Sequence, residues 1–166
     1  MPCIDAMIDE VVSLPLDITV EEALNVLDNN NIRTAPVLDS DKTMLGLFGY
    51  ETLMQAVLPQ ALSMGIGLGR LDFARGAGPD IARRLRKVKA KPLAEVMNRK
   101  PLTLQPEMSL WETIRTLAKA RLPLAVVDKK TNKFLGIVTE RSAIAELERS
   151  EADPTLTGPE MDASDS

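Results

Sequence analysis

The chain has 166 residues, 45% apolar and 27% charged with a net charge of −4, enough to build one compact domain or two small ones sharing a core. It has no histidine and one cysteine, Cys3, so no internal disulfide can form. The side chain most used in acid–base catalysis, nucleophilic triads and zinc sites is therefore missing. The composition argues against an enzyme, and no catalytic or metal-ligating residue is assigned.

No apolar run approaches the roughly 18 residues of a membrane span. The N-terminus lacks the basic stretch and apolar segment of a secretory signal. A cytoplasmic protein without membrane insertion is expected. Five residues are aromatic, so Val, Ile, Leu, Met and Ala must fill the core.

In chain order, Val11–Leu14 reads as a short extended segment. Thr19-x-x-Glu22 is a capping box, in which the hydroxyl takes the amide three residues on and the glutamate reaches back. Behind it Val20, Ala23, Leu24 and Leu27 form one apolar stripe at helical spacing. A buried strand is predicted at Ala35–Leu38, a turn at Ser40–Thr43 opened by Asp39, and a returning strand at Met44–Phe48. A second helix is predicted over Tyr50–Val57.

After Pro59, five glycines from Gly65 to Gly78 suggest irregular turns. Pro79 and Asp80 then start a basic helix, Pro79–Val88, and Pro92 ends the linker.

The first pattern then returns. Pro101–Leu104 is extended, and Ser109-x-x-Glu112 is a second capping box before a stripe of Leu110, Thr113, Ile114 and Leu117. Strands follow at Leu124–Val127 and Phe134–Val138 around the turn Lys129–Lys133, and a closing helix at Glu140–Leu147. Beyond Ser150 the acidic tail has little to bury and is expected to be disordered. At a constant offset of 90, Met7 pairs with Met97, Leu14 with Leu104, Leu27 with Leu117 and Gly46 with Gly136. The unit reads β-α-β-β-α twice, and such duplicated units should pack on each other.

This pattern resembles a CBS (cystathionine β-synthase) domain pair. The resemblance rests on Val96-Met97, Thr103-Leu104-x-Pro106, Val126-Val127-Asp128 and Gly136-Ile137-Val138-Thr139 in copy two. Copy one matches through Ala35-Pro36-Val37-Leu38-Asp39 and Leu45-Gly46-Leu47. The implied fold is α+β, a tandem pair of β-α-β-β-α repeats with pseudo-twofold symmetry and two clefts between the copies. Repeat 1 takes residues 1–58, a Gly-rich and basic linker with a helix 59–92, repeat 2 93–149, and the acidic tail 150–166.

The resemblance also implies a non-catalytic regulatory module. It requires no cofactor and binds AMP, ADP, ATP or S-adenosylmethionine as a regulatory ligand in a cleft. A homodimer and a regulated effector enzyme or transporter are the implied partners. The family's nucleotide motif is Gly-h-x-Thr/Ser-x-x-Asp, where h is apolar. The hydroxyl at a helix start binds phosphate with help from amides and the dipole, and the carboxylate accepts the ribose hydroxyls.

Copy two has Thr139 but Ser142 in place of the aspartate; copy one has Gly49 for the hydroxyl and Thr52 for the aspartate. The candidate ligand residues in copy two are Thr103, Leu104, Leu122, Pro123, Ile137, Val138, Thr139, Arg141 and Ser142. Copy one offers Arg33, Thr34 and Gly49. For Thr139 a simple helix cap is the competing role, and for Gly49 relief of crowding at the strand-to-helix turn.

The missing carboxylates favour a second reading, a purely structural homodimerisation module that binds no nucleotide. Its interface would be the apolar surface of the helices after Gly49 and Thr139. The eight basic residues between Arg70 and Lys91 raise a third, a nucleic-acid or polyphosphate contact. The scarcity of aromatics to stack bases argues against it.

Overall fold

The structure is a computed structural model and describes residues 2–58 and 78–152. The Gly-rich part of the linker and most of the acidic tail lie outside the described residues.

Copy one opens with strand β1, Leu14–Pro15, followed by helix α1, Val20–Asn29. The hydroxyl half of its capping box forms: Thr19 Oγ1 accepts from Glu22 N at 3.2 Å. All four stripe residues of α1 are buried. Strands β2, Thr34–Leu38, and β3, Met44–Gly49, form the antiparallel hairpin, and β1 adds parallel to β2 with Leu14 opposite Val37. Asp39 holds the turn by accepting from the amides of Asp41 and Thr43, each at 2.9 Å. Helix α2 is Tyr50–Val57, and the linker helix α3 is Gly78–Lys89.

Copy two repeats the plan. A single helical turn, α4, spans Leu93–Val96, and β4 is Thr103–Leu104. Helix α5, Leu110–Ala120, has Ser109 Oγ accepting from Glu112 N at 3.2 Å. Strands β5, Leu124–Val127, and β6, Phe134–Val138, complete a sheet ordered β4-β5-β6. Helix α6, Glu140–Ala152, runs past the predicted end at Leu147. An Arg149–Glu146 pair and the Ser150 hydroxyl on the Glu146 carbonyl at 2.9 Å support the added turn. The fold is α+β, with two three-stranded sheets and flanking helices.

The duplication extends to backbone geometry. Among the described residues, the non-glycine residues with positive φ are Asn31 (52°), Lys42 (63°), Arg121 (56°) and Asn132 (57°), two pairs at the sequence offset of 90. Each pair marks the same event, a helix end or a hairpin turn, in both copies.

The compact units do not follow the linear repeats. One gathers described residues 2–10, 103–129 and 135–152; the other gathers 11–58, 78–102 and 130–134. Each copy's lead-in is thus built into the unit of the other copy. In the first unit Ile8 exchanges both backbone hydrogen bonds with Ile137, at 2.7 and 2.9 Å. In the second, Asn98 does the same with Leu47, at 2.8 and 2.9 Å.

This crossing explains the paired glycines. A Cβ on Gly136 would lie 2.4 Å from the Ile8 carbonyl oxygen, and one on Gly46 2.6 Å from that of Asn98. Met7 and Met97 lie against the same two glycines, which accounts for their recurrence at one offset.

Each unit has its own core. The first centres on Leu104, Leu110, Val126 and Val138 with Cys3 from the lead-in; the second on Leu14, Leu27, Val37 and Phe48 with Leu93 from α4. Each fully buried Leu or Phe contributes about 1.5–3 kcal/mol.

Candidate functional site

The copy-two turn joins β6 to α6 through Thr139. Thr139 Oγ1 accepts from the Ser142 amide at 2.9 Å, and Ser142 Oγ accepts from the Thr139 amide at 2.9 Å. The Ser142 hydroxyl also donates to the Thr139 carbonyl at 3.1 Å. This is a reciprocal capping box with serine in the place usually taken by glutamate. Thr139 therefore caps the helix, and Ser142 spends its hydroxyl on the same turn. Both remain half-buried, and Arg141 is exposed in the same first turn beside the exposed Glu140.

The other copy-two candidates divide by burial. Thr103 is half-buried on β4 opposite Ala125, and Leu122 and Pro123 are half-buried between α5 and β5. Leu104 and Val138 are fully enclosed in the core, so as they stand they offer a ligand no surface. Ile137 is half-buried, with both backbone groups engaged by Ile8. Thr139, Arg141 and Ser142 are brought together on one helical turn.

Copy one brings Arg33, Thr34 and Gly49 together. Thr34 pairs with Gly49 across the β2–β3 hairpin, and its hydroxyl donates to the Phe48 carbonyl at 3.2 Å. The Arg33 carbonyl accepts from Tyr50 N at 3.2 Å, while the Arg33 side chain belongs to an exposed residue. Gly49 has extended backbone, φ −163° and ψ −178°, so it is not chosen for a left-handed conformation. Its reason is close approach: a Cβ there would sit 2.6 Å from the Arg33 oxygen. The crowding role is the one this geometry displays. The Tyr50 hydroxyl donates to the Asp28 carboxylate, and that bond raises the phenol pKa above its ordinary value. Copy one's turn is thus closed by protein contacts.

Two apolar grooves on the α5 and α6 helices were missed as grooves by sequence reasoning. One, about 530 Å³, is lined by Leu110, Trp111, Ile114 and Leu147 with Ser109. The other, about 430 Å³, is lined by Ile114, Ala118, Ala143 and Ile144, with Arg121 and Glu140 contributing charge. Trp111 is 69% exposed, Ile144 53% and Leu147 38%. Ile144 and Leu147 lie on the helix after Thr139, where apolar surface was expected. Trp111 carried a readable signal, since it falls off the buried stripe of its own helix as the chain's sole tryptophan. Among the described residues no group of carboxylates and cysteine could hold a metal ion, and no helix is long and apolar enough to cross a membrane.

Comparison with known proteins agrees with this architecture. The CBS domain family model matches residues 3–59 and 93–149. The chain is 25% identical over 134 residues to the chloroplastic CBS domain-containing protein CBSX1 of Arabidopsis thaliana, covering 76% of this chain and 54% of that protein. It therefore spans about half the length of that curated relative. Among solved structures, CBSX2 in complex with AMP superposes with a TM-score of 0.65 at 20% identity, covering 90% of this chain and 98% of that one. Protein MJ1225 of Methanocaldococcus jannaschii, described as a putative archaeal homologue of the AMPK γ subunit, gives 0.67 at 16% identity over 88% of this chain and 47% of that one. The family match covers both copies and most of the chain, and the structural likeness shows the fold. This chain belongs to the CBS domain family and carries two CBS domains in tandem.

Proposed function

We propose that this CBS pair is a regulatory module that senses an adenine nucleotide at the copy-two turn and signals its occupancy to a partner protein. The observation that carries the reading is the start of α6, where the half-buried Thr139 hydroxyl ends β6 and the exposed Arg141 follows in the first turn. Helix N-terminal amides, the dipole and a nearby cation together favour a phosphate. CBSX2 with AMP and the AMPK γ-like MJ1225 support the ligand class, as proteins of the same fold.

Copy two is preferred over copy one because Gly49 leaves copy one without the hydroxyl, and no Cβ fits there. The module acts by binding. Its signal must come from different affinities of the ligand for two states of the protein. Titration calorimetry with AMP, ADP and ATP tests the reading. Binding that weakens in Thr139→Ala and in Arg141→Ala supports it; no heat and no thermal shift at millimolar ligand refutes it. Arg141→Ala separates lost contact from the lost helix cap, because Arg141 takes no part in the capping box.

A second reading, a homodimerisation module, is favoured by the exposed apolar surface at Trp111, Ile144 and Leu147. Side chains that large are seldom left together in water without a partner. The two readings are compatible, since a ligand signal can be transmitted through subunit packing.

A further inference from the structure

The basic run of the linker has a defined place in the fold. Of its eight cations, Arg70 and Arg75 lie outside the described residues, and the others sit on α3 or just beyond it. Helix α3 packs on both α1 and α2, its Val88 joins Leu24, Leu53 and Val57 in the core, and Ile81 and Leu85 pack against that cluster. Arg84 fastens the helix by donating to the carbonyls of Val57 and Leu58, at 3.0 and 3.4 Å. The apolar side of α3 is thus spent on copy one. Arg83, Arg86 and Lys87 fall on the opposite side at helical spacing and are exposed, and Lys91 is exposed just beyond the helix.

This face is short of acids. Among the described residues α3 has one ion pair, Arg83 with Asp80 at 3.5 Å. Arg86, Lys87 and Lys91 have none, although Glu21, Glu22 and Glu51 are exposed on the helices that α3 packs against. Cations three or four residues apart repel each other on a helix, and Arg83 stands in that relation to both Arg86 and Lys87. The chain keeps these repulsions on a helix whose other side is fixed, as suits a surface that meets an anionic partner.

We propose that the exposed face of α3 is the surface on which the module meets its partner protein, through an acidic segment of that partner. Other polyanions fit less well. A helix that binds a membrane surface buries its apolar face there, and the apolar face of α3 is already occupied by copy one. Single-stranded nucleic acid stacks on aromatic side chains, and α3 has none. A duplex admits a helix into its groove, whereas α3 lies against two neighbouring helices. An acidic protein segment requires only a one-sided strip of cations. The 12 residues of α3 span about 18 Å, the reach of five or six residues of extended chain. Arg86 can hold a carboxylate by two parallel hydrogen bonds. The inference rests on the regulatory reading only in supplying a partner protein, and its test contains no adenine nucleotide, so the two can fail separately.

The test is fluorescence anisotropy of a fluorescein-labelled oligoglutamate peptide with the full chain at about 50 mM salt, where exposed charges are weakly screened. The α3 variant is Arg86→Glu with Lys87→Glu. The control is Arg115→Glu with Lys119→Glu, two exposed cations of α5, which changes net charge by the same amount elsewhere. Wild type and the control should bind the peptide alike, and the α3 variant about 10-fold or more weakly. Arg86→Ala with Lys87→Ala, which keeps good helix formers, should also weaken binding and guards against a glutamate pair that disturbs the fold. An oligothymidylate of the same length and vesicles of equimolar phosphatidylcholine and phosphatidylglycerol are the competing probes. No binding of the peptide by wild type, or equal loss in the α3 variant and the control, overturns the inference. Tighter binding of the DNA or the vesicles than of the peptide assigns the face to phosphate and overturns it as well.

Discussion

Gly136→Ala is a severe test of the crossed lead-ins, because a single methyl group enters a place where two backbones touch. The added Cβ would lie 2.4 Å from the Ile8 carbonyl oxygen, 2.6 Å from Met7 Cγ and 2.9 Å from Met7 Sδ. The methionine can swing away at small cost, being flexible. The carbonyl cannot, since Ile8 is tied on both sides to Ile137. Relief therefore requires the lead-in to move, which forfeits two backbone hydrogen bonds at about 1 kcal/mol each. Overpacking and backbone shift add about 1–3 kcal/mol.

The expected loss is about 3–5 kcal/mol, a large share of the 5–15 kcal/mol typical of a folded domain. Urea unfolding followed by circular dichroism should show the midpoint falling by about 1.5–2.5 M for a slope near 2 kcal/mol/M. Adding Met7→Ala should restore no more than about 1 kcal/mol, because it leaves the carbonyl contact in place. A loss below 1 kcal/mol for Gly136→Ala, or full rescue by Met7→Ala, would refute the backbone crossing as the reason for the glycine.

Other consequences follow from single side chains. Arg84→Met should destabilise the protein by about 1–2 kcal/mol through loss of the hydrogen bonds to the end of α2, and hydrogen exchange should show it first in α3. Thr139→Ala should cost about 1 kcal/mol as a lost cap, seen in thermal unfolding with no ligand present. Cys3 is fully buried with its thiol on the Gln105 carbonyl at 3.0 Å, and burial raises its pKa above the ordinary 9.0. Native protein at pH 8.5 should resist alkylation that modifies the unfolded chain quickly. The same shift sets a pH dependence: Cys3 contributes its stabilisation below the unfolded thiol pKa and loses it as pH rises through the higher folded value. Unfolding measured from pH 7 to pH 11 should show a decline that Cys3→Ala reduces, the raised Tyr50 phenol accounting for part of the rest.

Much of the fold could be read because its signals were local. Thr19 and Ser109 announced both first helices, and each hydroxyl accepts the amide three residues on. The hairpin strands were marked by apolar runs around Asp39 and Asp128. What could not be read was long-range. Nothing near Met7 says that it will lie against Gly136, because the crossing depends on which unit each lead-in joins. The role of Ser142 was hidden for a different reason. A serine three residues after a threonine resembles a depleted ribose site, yet it serves as the reciprocal member of a cap. The linker helix was visible as a basic segment, but only its packing shows that Ile81, Leu85 and Val88 cover copy one.

The proposed function makes the copy-two turn a nucleotide site weakened by the loss of one carboxylate. The most direct measurement is titration calorimetry of AMP into wild type and Ser142→Asp. Aspartate at that position can still accept the Thr139 amide and suits the helix dipole, so the variant should fold. A charged acceptor is about twice as strong as a neutral one, and two ribose hydroxyls can use it. Wild type should bind AMP measurably, and Ser142→Asp should bind it tighter by about 10-fold or more; a folded Ser142→Asp that gives no heat with millimolar AMP would contradict the proposed site.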